Sequence, residues 1–589
     1  MSRSFAVLLR GLVVLAIPLL AVAVQRGDYD RLFTRRLLAS SAAYGKFSTS
    51  TATATDGPLT VGIIGAGAAG LYSAILLESL GVSCEVLEAD TQAGGRIRTH
   101  YFDEAAWKRS RPGEPAYYDY VDVGAMRVPR MPYMDRLIGS QNHSLFNYIN
   151  ARTTGLDQIT TIPFLFNSNN TFLLYNDKLR AYQDTLTGDP FGVGALDGGS
   201  LPETFASENP GDVWNGIIDQ FTNALNDSLE DGYEKLMAFD AMSVRGYLRS
   251  VGYTDAEVDW LETTEDASGH YDAGLSETVL EKWIFDAAPE SMWLTVEGGF
   301  SRIINGLLRT LTSPVRLSQR VIKMSVGADG RMEVSTNATT RYYDHVISTT
   351  ALGALRAMDL TGLPLDYEKK VALRKLNYDP ATKVGIKFKT RWWEELPLPI
   401  KGGQSYSDLP IRHCVFPSYG VNTRHAAASM IASYTWGQDA ARIGSYMATA
   451  EARADLIDLT LRNLAAMNNV TDDFLRSQYV DSFALSWYDN EFTLGAFAFF
   501  DPAEFTTLMP TLLQPAADGR MHFAGEALST GHAWVVGALN SAYRAVAEVL
   551  AREQRTDLLI RLVDLWGEVD EIDMNWYHKG GVRSKVATE

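Results

Sequence analysis

Three glycines, Gly65, Gly67 and Gly70, stand in Gly-x-Gly-x-x-Gly spacing between an apolar run and a pattern of apolar residues at helical intervals. A second apolar run follows and ends on Glu88. In such a block the first glycine makes a tight turn, the second lets backbone N–H groups approach a pyrophosphate, and the third allows close helix–strand packing. The helix N-terminus attracts phosphate, and the acid can accept hydrogen bonds from ribose hydroxyls. The block predicts a dinucleotide site, with a glycine turn that binds no nucleotide as the alternative.

A loop rich in glycine and arginine follows the acid. Gly94, Gly95, Arg96 and Arg98 come within ten residues of Glu88. An arginine at this place can clamp a diphosphate, because its guanidinium offers paired N–H donors. A solvated loop with no ligand is the alternative.

A second candidate segment lies near the C-terminus, where Gly525 and Glu526 precede a run of helical pattern from 535 to 550. Small residues recur every fourth position in that run, at Gly537, Ser541 and Ala545. This smooth stripe would let the helix approach either a flat ligand or another helix closely, and the spacing alone favours packing against a neighbouring helix. The helix N-terminus could stabilise negative charge on a bound ring.

These two segments resemble the flavin motifs of the flavin-containing amine oxidase superfamily, Gly-Gly-Arg at 94–96 and Phe-Ala-Gly-Glu at 523–526. The resemblance implies FAD, held covalently or non-covalently, with Glu526 on the ribityl chain. The residues that it places against the cofactor are Gly65, Gly67, Ala68, Ala69, Gly70, Glu88, Ala89, Gly95, Arg96, Gly124, Ala125, Met126, Arg127, Val321, Gly525, Glu526, Trp534 and Val535.

The segment Gly124-Ala125-Met126-Arg127 resembles the Gly-x-Met-Arg segment of L-amino-acid oxidases, in which the arginine holds the substrate α-carboxylate. A guanidinium suits this task, because it is always charged and its paired donors match the two carboxylate oxygens. Amines and polyamines have no carboxylate to satisfy a buried arginine, and an unpaired buried arginine is costly. A structural ion pair of Arg127 is the alternative.

Three further segments match the same family. The resemblance implies that Lys383 holds a water near flavin N5 and assists the reaction with oxygen, whereas strand alternation alone makes it a solvated lysine. It implies that Tyr434 gives its hydroxyl to the carboxylate, whereas core packing is the alternative. It also implies that the Ala533 carbonyl accepts from the substrate amine and that Trp534 walls the pocket. Several relatives have glycine where this chain has Ala533, and the added Cβ would narrow the site. His532 is not assigned as a base.

The family fold implies an α/β protein in which a doubly wound, Rossmann-like FAD domain is interleaved with a mixed-sheet substrate domain and a helical insertion. The FAD domain would comprise 57–100, 292–350 and 500–550, and the substrate domain 101–140 and 351–499. The insertion would span 141–291, where apolar residues recur at helical spacing, and 551–589 would be a C-terminal tail with no assigned role.

Charge and cysteine content exclude several classes. The formal net charge is −18, which argues against a nucleic-acid partner because phosphate binding needs a basic footprint. Two cysteines cannot build a disulfide framework or a cysteine-based zinc site, although one bridge between them is possible, and no metal site is expected.

Residues 1–23 combine arginines, a short apolar run and a small-residue cleavage pattern, which is typical of a signal peptide, and 24–56 would be a flexible leader or pro-segment. An uncleaved membrane anchor is the alternative. We therefore expect a secreted glycoprotein without stable membrane insertion, and relatives suggest a homodimer. The glycosylation sequons are Asn142, Asn169, Asn226, Asn337 and Asn469.

Taken together, the resemblance implies an L-amino-acid oxidase, most similar to secreted fungal members. Hydride transfer from the substrate α-carbon to flavin N5, with reoxidation by O₂, would yield a 2-oxo acid, ammonia and hydrogen peroxide. Three alternatives stay open: a secreted amine or polyamine oxidase of the same fold, a flavin dehydrogenase or monooxygenase, and an FAD-stabilised binding protein without turnover. The preferred substrate side chain is not assigned, because no residue of the insertion could be matched to the pocket wall.

Overall fold

The computed structural model describes residues 58–140, 143–184, 186–265, 267–286 and 288–569. The predicted signal peptide and leader, the sequon at Asn142 and the last twenty residues of the tail lie outside this part of the chain. No helix within it is long and apolar enough to cross a membrane.

A five-stranded parallel sheet forms the centre of the nucleotide-binding half. Its strands are short, and three of them, Thr60–Ile64, His345–Ser348 and Met521–Phe523, are almost fully buried, as expected for parallel strands covered on two sides. In spatial order they are Val315–Arg316, Ser83–Leu87, Thr60–Ile64, His345–Ser348 and Met521–Phe523. All three segments predicted for the FAD domain therefore contribute strands to one sheet, although the domain boundaries themselves stay predictions.

Helices cover one face of this sheet. The helix Ala68–Ser79 follows the strand Thr60–Ile64 in the chain. The helices Val535–Arg552 and Ser301–Thr310 pack against the helix Ala68–Ser79. On the other face the ring of Tyr343 lies where a side chain at Gly62 would project, so a second sheet packs closely there. That four-stranded sheet has the order Thr340–Tyr343, Met332–Thr336, Val321–Val326 and Asp359–Gly362.

A seven-stranded mixed sheet forms the second half. Its order is Tyr479–Ser486, Ala381–Phe388, Ala428–Trp436, His413–Val415, Gln404–Ser407, Phe172–Tyr175 and Lys178–Ala181. The last two strands come from the segment expected to be a helical insertion, so that segment is only partly helical. Asn176 and Asp177 have φ values of 47° and 56°, the conformation of a two-residue hairpin turn, which brings the two strands together.

The remainder of that segment is helical. Its longest helix, Pro210–Asp227, buries Ile217, Phe221 and Leu225 on one face, in the spacing seen in the sequence. The helices between 203 and 286 are Glu203–Ala206, Pro210–Asp227, Leu229–Met237, Val244–Ser250, Asp255–Thr264 and Leu275–Asp286. This confirms an α/β fold with a parallel nucleotide-binding sheet, a mixed sheet and a helical region.

Smaller elements complete the fold. The short sheets pair Tyr378–Asp379 with Phe497–Ala498, Thr99–Tyr101 with Tyr120–Asp122, and Trp293–Val296 with both Val128–Pro129 and Thr161–Pro163. The other helices are Glu104–Arg109, Asp135–Ile138, Leu145–Asn150, Leu352–Arg356, Tyr367–Lys375, Gly437–Gly444, Ala450–Met467, Asp472–Gln478, Glu504–Thr507, Met509–Leu512 and Thr556–Trp566.

The described part of the tail packs on the nucleotide-binding half. The indole N–H of Trp566 donates to the Ser79 hydroxyl at 2.9 Å, and its ring meets Tyr72 edge to face at 5.5 Å. Elsewhere, Cys84 and Cys414 are both buried and free, so the single disulfide left open by the sequence is not formed.

Candidate active site

One cavity of about 1440 Å³ runs between the two halves of the protein. Nearly all of the predicted site residues line it, from the glycine turn to Lys383, Tyr434 and Trp534. Gly70 is the exception among them. The structure therefore brings both predicted flavin segments and the predicted substrate residues to one continuous space.

The glycine turn shows why Gly70 lies outside the cavity. A Cβ on Gly70 would lie 1.9 Å from the Gly65 carbonyl oxygen, so this glycine permits the close packing of helix on turn. Gly65 itself has a φ of +103°, which favours glycine. A Cβ on Gly67 would meet nothing within 4 Å, which leaves the backbone open towards the cavity.

Glu88 fastens the turn from the end of the second strand. One carboxylate oxygen accepts from the Ala66 N–H at 2.6 Å and the other from the Asp90 N–H at 2.8 Å. Burial raises the pKa of this carboxyl group, although the two backbone donors oppose the shift. The side chain lines the cavity beside Ala89, where ribose hydroxyls are expected.

An ion pair joins the two segments that resemble flavin motifs. The Arg96 guanidinium lies 2.5 Å from Glu526 Oε1 and also donates to the Ala496 carbonyl at 3.1 Å. Glu526 accepts in addition from the backbone N–H groups of Ala498 and Ala533. The pair therefore fixes the C-terminal loop against the glycine-rich segment, a role that its spacing in the sequence did not predict.

The smooth stripe of the helix Val535–Arg552 packs against its own loop. A Cβ on Gly537 would lie 2.3 Å from the Gly531 carbonyl oxygen, and the Ser541 hydroxyl accepts from the Gly525 N–H at 2.9 Å. At these two positions the stripe therefore packs against the loop that precedes the helix, and not against the neighbouring helix that its spacing favoured. Val535 at the uncapped N-terminus of the helix lines the cavity and presents the positive end of the helix to it.

These features fit a bound dinucleotide flavin. The helix Ala68–Ser79 begins at Gly67 without a side-chain cap, so its first-turn N–H groups are available to phosphate. Gly67 leaves the space that a close ligand needs, and Val321 lines the same cavity. Val535, at the N-terminus of a second helix, also borders it.

Arg127 lies in this cavity within an aromatic enclosure. Its guanidinium carbon is 4.7 Å from the ring centre of Phe166 and within 6 Å of the rings of Phe164, Phe285 and Trp293. Burial lowers its pKa, while nearby tyrosines and Glu281 oppose the shift. Among the described residues its one hydrogen-bond partner is the Gln404 amide oxygen, at a long 3.5 Å.

Arg127 forms no ion pair with any described residue, so the structural ion pair considered for it does not occur in this part of the chain. The residues around it were not identified from the sequence. Phe285 belongs to the helix Leu275–Asp286, where Glu277, Glu281 and Phe285 recur every fourth residue and line the cavity together. This four-residue spacing was the signal in the sequence that could have identified the helix face as part of the cavity wall.

Lys383 is buried rather than solvated, although alternation along Ala381–Phe388 suggested an exposed face. The strand lies between two others, and its Nζ donates to the carbonyls of Asp122 at 3.2 Å and Gly124 at 2.8 Å. Burial lowers the pKa of Lys383 to about 7, and Arg127 adds to the effect while Asp122 opposes it. A group that titrates near neutral pH at the cavity wall is suited to hold or release a proton.

Tyr434 lies beside Lys383 on the neighbouring strand. The Lys383 Nζ is 4.3 Å from the centre of the Tyr434 ring, and the two residues are paired in register. Tyr434 opposes the lowering of the Arg127 pKa by burial, and both residues line the cavity. The ring also contacts Trp436 edge to face at 4.8 Å, so core packing accounts for part of its position.

Ala533 and Trp534 border the same space. Ala533 has a φ of +63°, which explains why glycine suits this position, and the alanine is kept at a cost in backbone strain. Trp534 lies 5.9 Å from Trp293 between ring centres, and its indole N–H has no partner among the described residues. His532 is buried and bound to Glu277 at 3.0 Å, so it anchors the loop to the helical region.

Comparison with known proteins agrees with this geometry. The sequence profile of the family described as flavin containing amine oxidoreductase matches residues 68–550. A Hebeloma cylindrosporum protein named L-amino-acid oxidase 4 is 35% identical over 594 residues, which cover 94% of this chain and 91% of that protein. A Dictyostelium discoideum protein named as a bifunctional amine oxidase is 37% identical over 88% of this chain, but this chain spans only about half of its length, 49%.

Solved structures share the fold. Putrescine oxidase superposes with a TM-score of 0.61 at 17% identity, over 84% of this chain and 99% of that one. Cyclohexylamine oxidase from Brevibacterium oxydans superposes with a TM-score of 0.60 at 15% identity, over 85% of this chain and 100% of that one. The likeness at these identities concerns the fold, whereas the family profile and the fungal relative concern the chemistry. The chain therefore belongs to the flavin containing amine oxidoreductase family, as an oxidoreductase that acts on amino groups and takes FAD as its cofactor.

Proposed function

We propose that this chain catalyses the oxidative deamination of L-amino acids to 2-oxo acids, ammonia and hydrogen peroxide. The observation that carries the proposal is Arg127, a guanidinium that lies in the cavity and has no ionic partner among the described residues. The α-carboxylate of an amino acid would supply that partner. A monoamine or polyamine would leave a partly desolvated charge unpaired, which costs free energy.

The residues around Arg127 have separate tasks in this proposal. Arg127 and Tyr434 would hold the carboxylate, and the Ala533 carbonyl would accept from the substrate amine. The aromatic rings beside them, including Phe285 and Trp534, would exclude water and orient the Cα–H bond. FAD, when bound, would supply the two-electron chemistry of the reaction. Water would hydrolyse the released imino acid to the 2-oxo acid and ammonia, so the proposal needs no protein nucleophile.

Lys383 would serve the oxygen half of the reaction. Its Nζ is held by two backbone carbonyls at the cavity wall, and a pKa of about 7 allows it to carry charge or to release a proton at neutral pH. Positive charge at this position would favour the reduction of O₂ to peroxide, because negative charge develops there.

One experiment separates this proposal from its rivals. The visible spectrum of the purified holoprotein is recorded without oxygen, first with a mixture of L-amino acids and then, on a fresh sample, with putrescine, spermine and phenethylamine. Loss of the flavin band with amino acids only, and its return in air with one peroxide per substrate, is the expected result. Bleaching by amines only would establish an amine oxidase and refute the proposal.

Two other outcomes also refute it. Bleaching by amino acids without stoichiometric peroxide in air would indicate a dehydrogenase or monooxygenase. A flavin band that no substrate changes would indicate a binding protein without turnover. The fold neighbours named above act on amines according to their names, so the amine arm of the experiment is needed.

We further propose that the protein is secreted, glycosylated and homodimeric. Of its sequons, Asn169, Asn337 and Asn469 are exposed and accessible to a glycan. The amide oxygen of Asn226 instead accepts from the Trp283 indole at 2.9 Å, so glycosylation there would break a contact. Secretory expression, a glycosidase mobility shift and light scattering behind gel filtration test the three points separately.

A further inference from the structure

Glu281 lies on the cavity wall, one helical turn from Glu277 on one side and from Phe285 on the other. The helix Leu275–Asp286 presents Glu277, Glu281 and Phe285 to the cavity at intervals of four residues, on one face. Glu277 is engaged with both His532 and the Phe500 N–H. Phe285 packs 5.6 Å from the Arg127 guanidinium. Glu281 is thus the member of this face that lies between the loop anchor and the carboxylate anchor.

The carboxylate of Glu281 has no hydrogen bond or ion pair to any described residue. Burial raises its pKa to about 7; Glu277 and Asp286 add to the effect, and Lys282 and Arg127 oppose it. Arg127 therefore lies close enough for its charge to act on Glu281, although the two do not form an ion pair. An acidic group on the wall of a largely aromatic pocket can hydrogen-bond a donor on the ligand.

We infer that Glu281 selects the substrate side chain and that amino acids with a cationic side chain, such as L-lysine or L-arginine, are the preferred class. This inference rests on the proposed function. With the carboxylate on Arg127, the side chain of a bound amino acid would extend along the helix face that carries Glu281. The aromatic rings would hold its methylene groups, and Glu281 would accept from its terminal N–H donors.

The charge of the cavity wall between 182 and 286 agrees with this substrate class. Besides Glu277 and Glu281, the acidic residues that line the cavity there are Asp184, Glu208, Asp212, Glu265 and Asp286. Lys282 is the one lysine or arginine of that stretch on the wall, and it is paired with Asp286 at 3.2 Å. A passage lined by one sign of charge raises the local concentration of the opposite sign, so it attracts cations and repels acidic amino acids.

The test compares L-lysine with L-norleucine, which keeps the aliphatic chain and lacks the ammonium group. Anaerobic flavin reduction gives kcat/KM for each in the wild-type holoenzyme, in Glu281→Gln and in Glu368→Gln. Glu368 is exposed on the helix Tyr367–Lys375 outside the cavity, so its substitution controls for the same change in net charge. We expect Glu281→Gln to lower the lysine-to-norleucine ratio at least tenfold and Glu368→Gln to leave it unchanged.

Binding and pH give independent readouts. The dissociation constants of 6-aminohexanoate and hexanoate, which carry no α-amino group to oxidise, should differ in the wild type and converge in Glu281→Gln. The wild-type lysine-to-norleucine ratio should rise between pH 6 and 8, as Glu281 ionises, and the ratio of the variant should not. A ratio unchanged by Glu281→Gln at every pH overturns the inference, as does a wild-type preference for L-glutamate. If no L-amino acid reduces the flavin, the proposed function itself is wrong.

Discussion

Truncation of Arg127 to alanine is the sharpest test of the substrate site. The guanidinium has a long contact to Gln404 and four aromatic neighbours, and no ionic partner among the described residues. The substrate carboxylate would therefore be the partner that the variant loses. Removal of one member of a buried, hydrogen-bonded charge pair costs about 2–5 kcal/mol in binding. At about 1.4 kcal/mol for each factor of ten, kcat/KM for amino acids should fall roughly 30-fold to 4000-fold.

The assay is anaerobic stopped-flow reduction of the flavin, with L-phenylalanine and its decarboxylated analogue phenethylamine as the substrate pair. Only phenylalanine carries the group that Arg127 would bind, so Arg127→Ala should slow it and spare phenethylamine. Arg127→Lys keeps the charge but loses the paired donors, so its kcat/KM for phenylalanine should lie between the values of the wild type and Arg127→Ala. An unchanged kcat/KM for phenylalanine, or an equal loss for the amine, would refute the assignment of Arg127 to the carboxylate.

Three other predictions follow from named contacts. Lys383→Met should slow flavin reoxidation by O₂ far more than anaerobic flavin reduction. Wild-type reoxidation should also slow as the pH rises through about 7, because the Lys383 ammonium group is lost there. Equal slowing of both half-reactions in the variant, measured by stopped flow, would argue against a role of Lys383 in the reaction with oxygen. Gly70→Ala should lower the free energy of unfolding of the apoprotein, measured in urea, by about 3 kcal/mol or more, because the added Cβ would overlap the Gly65 carbonyl. Gly67→Ala, whose Cβ would meet no neighbouring atom, should mainly weaken FAD binding in a flavin titration. Burial lowers the pKa of His345 to about 4, whereas an unfolded histidine titrates near 6.5, so the unfolded chain takes up the proton first. The free energy of unfolding should therefore fall by up to about 3 kcal/mol between about pH 6.5 and pH 4. The His345→Gln variant should lack this contribution. A difference in urea midpoint between wild type and variant that is the same at every pH would contradict the prediction.

Local sequence was informative where neighbouring residues build the feature. The turn at Gly65, Gly67 and Gly70 was predicted because backbone sterics act within a few residues. In the structure Gly65 has a positive φ, Gly70 allows close packing on the turn, and Gly67 leaves the backbone open to the cavity. The hairpin at Asn176 and Asp177 was missed, although two turn-forming residues between β-rich runs were a readable signal. The expectation of a helical insertion obscured it.

Contacts between distant segments could not be read in this way. The ion pair of Arg96 and Glu526 joins residues 430 positions apart, and neither residue type names the other as its partner. The burial of Lys383 was likewise undecided, because alternation shows that two faces exist and does not say whether a second layer covers both. The aromatic enclosure of Arg127 is drawn from separate elements that no single stretch of sequence contains.

The cofactor class and the family could be predicted from the sequence alone, because the residues that contact a dinucleotide form short motifs with fixed spacing. The sequence also determined which residue types were available for the substrate site, Arg127 and Tyr434 among them. That Arg127 lacks an ionic partner in the described chain, and that Glu281 lines the same cavity, became visible in the folded protein. Burial and charge neutralisation depend on elements that are distant in sequence and that folding brings within a few ångströms of each other.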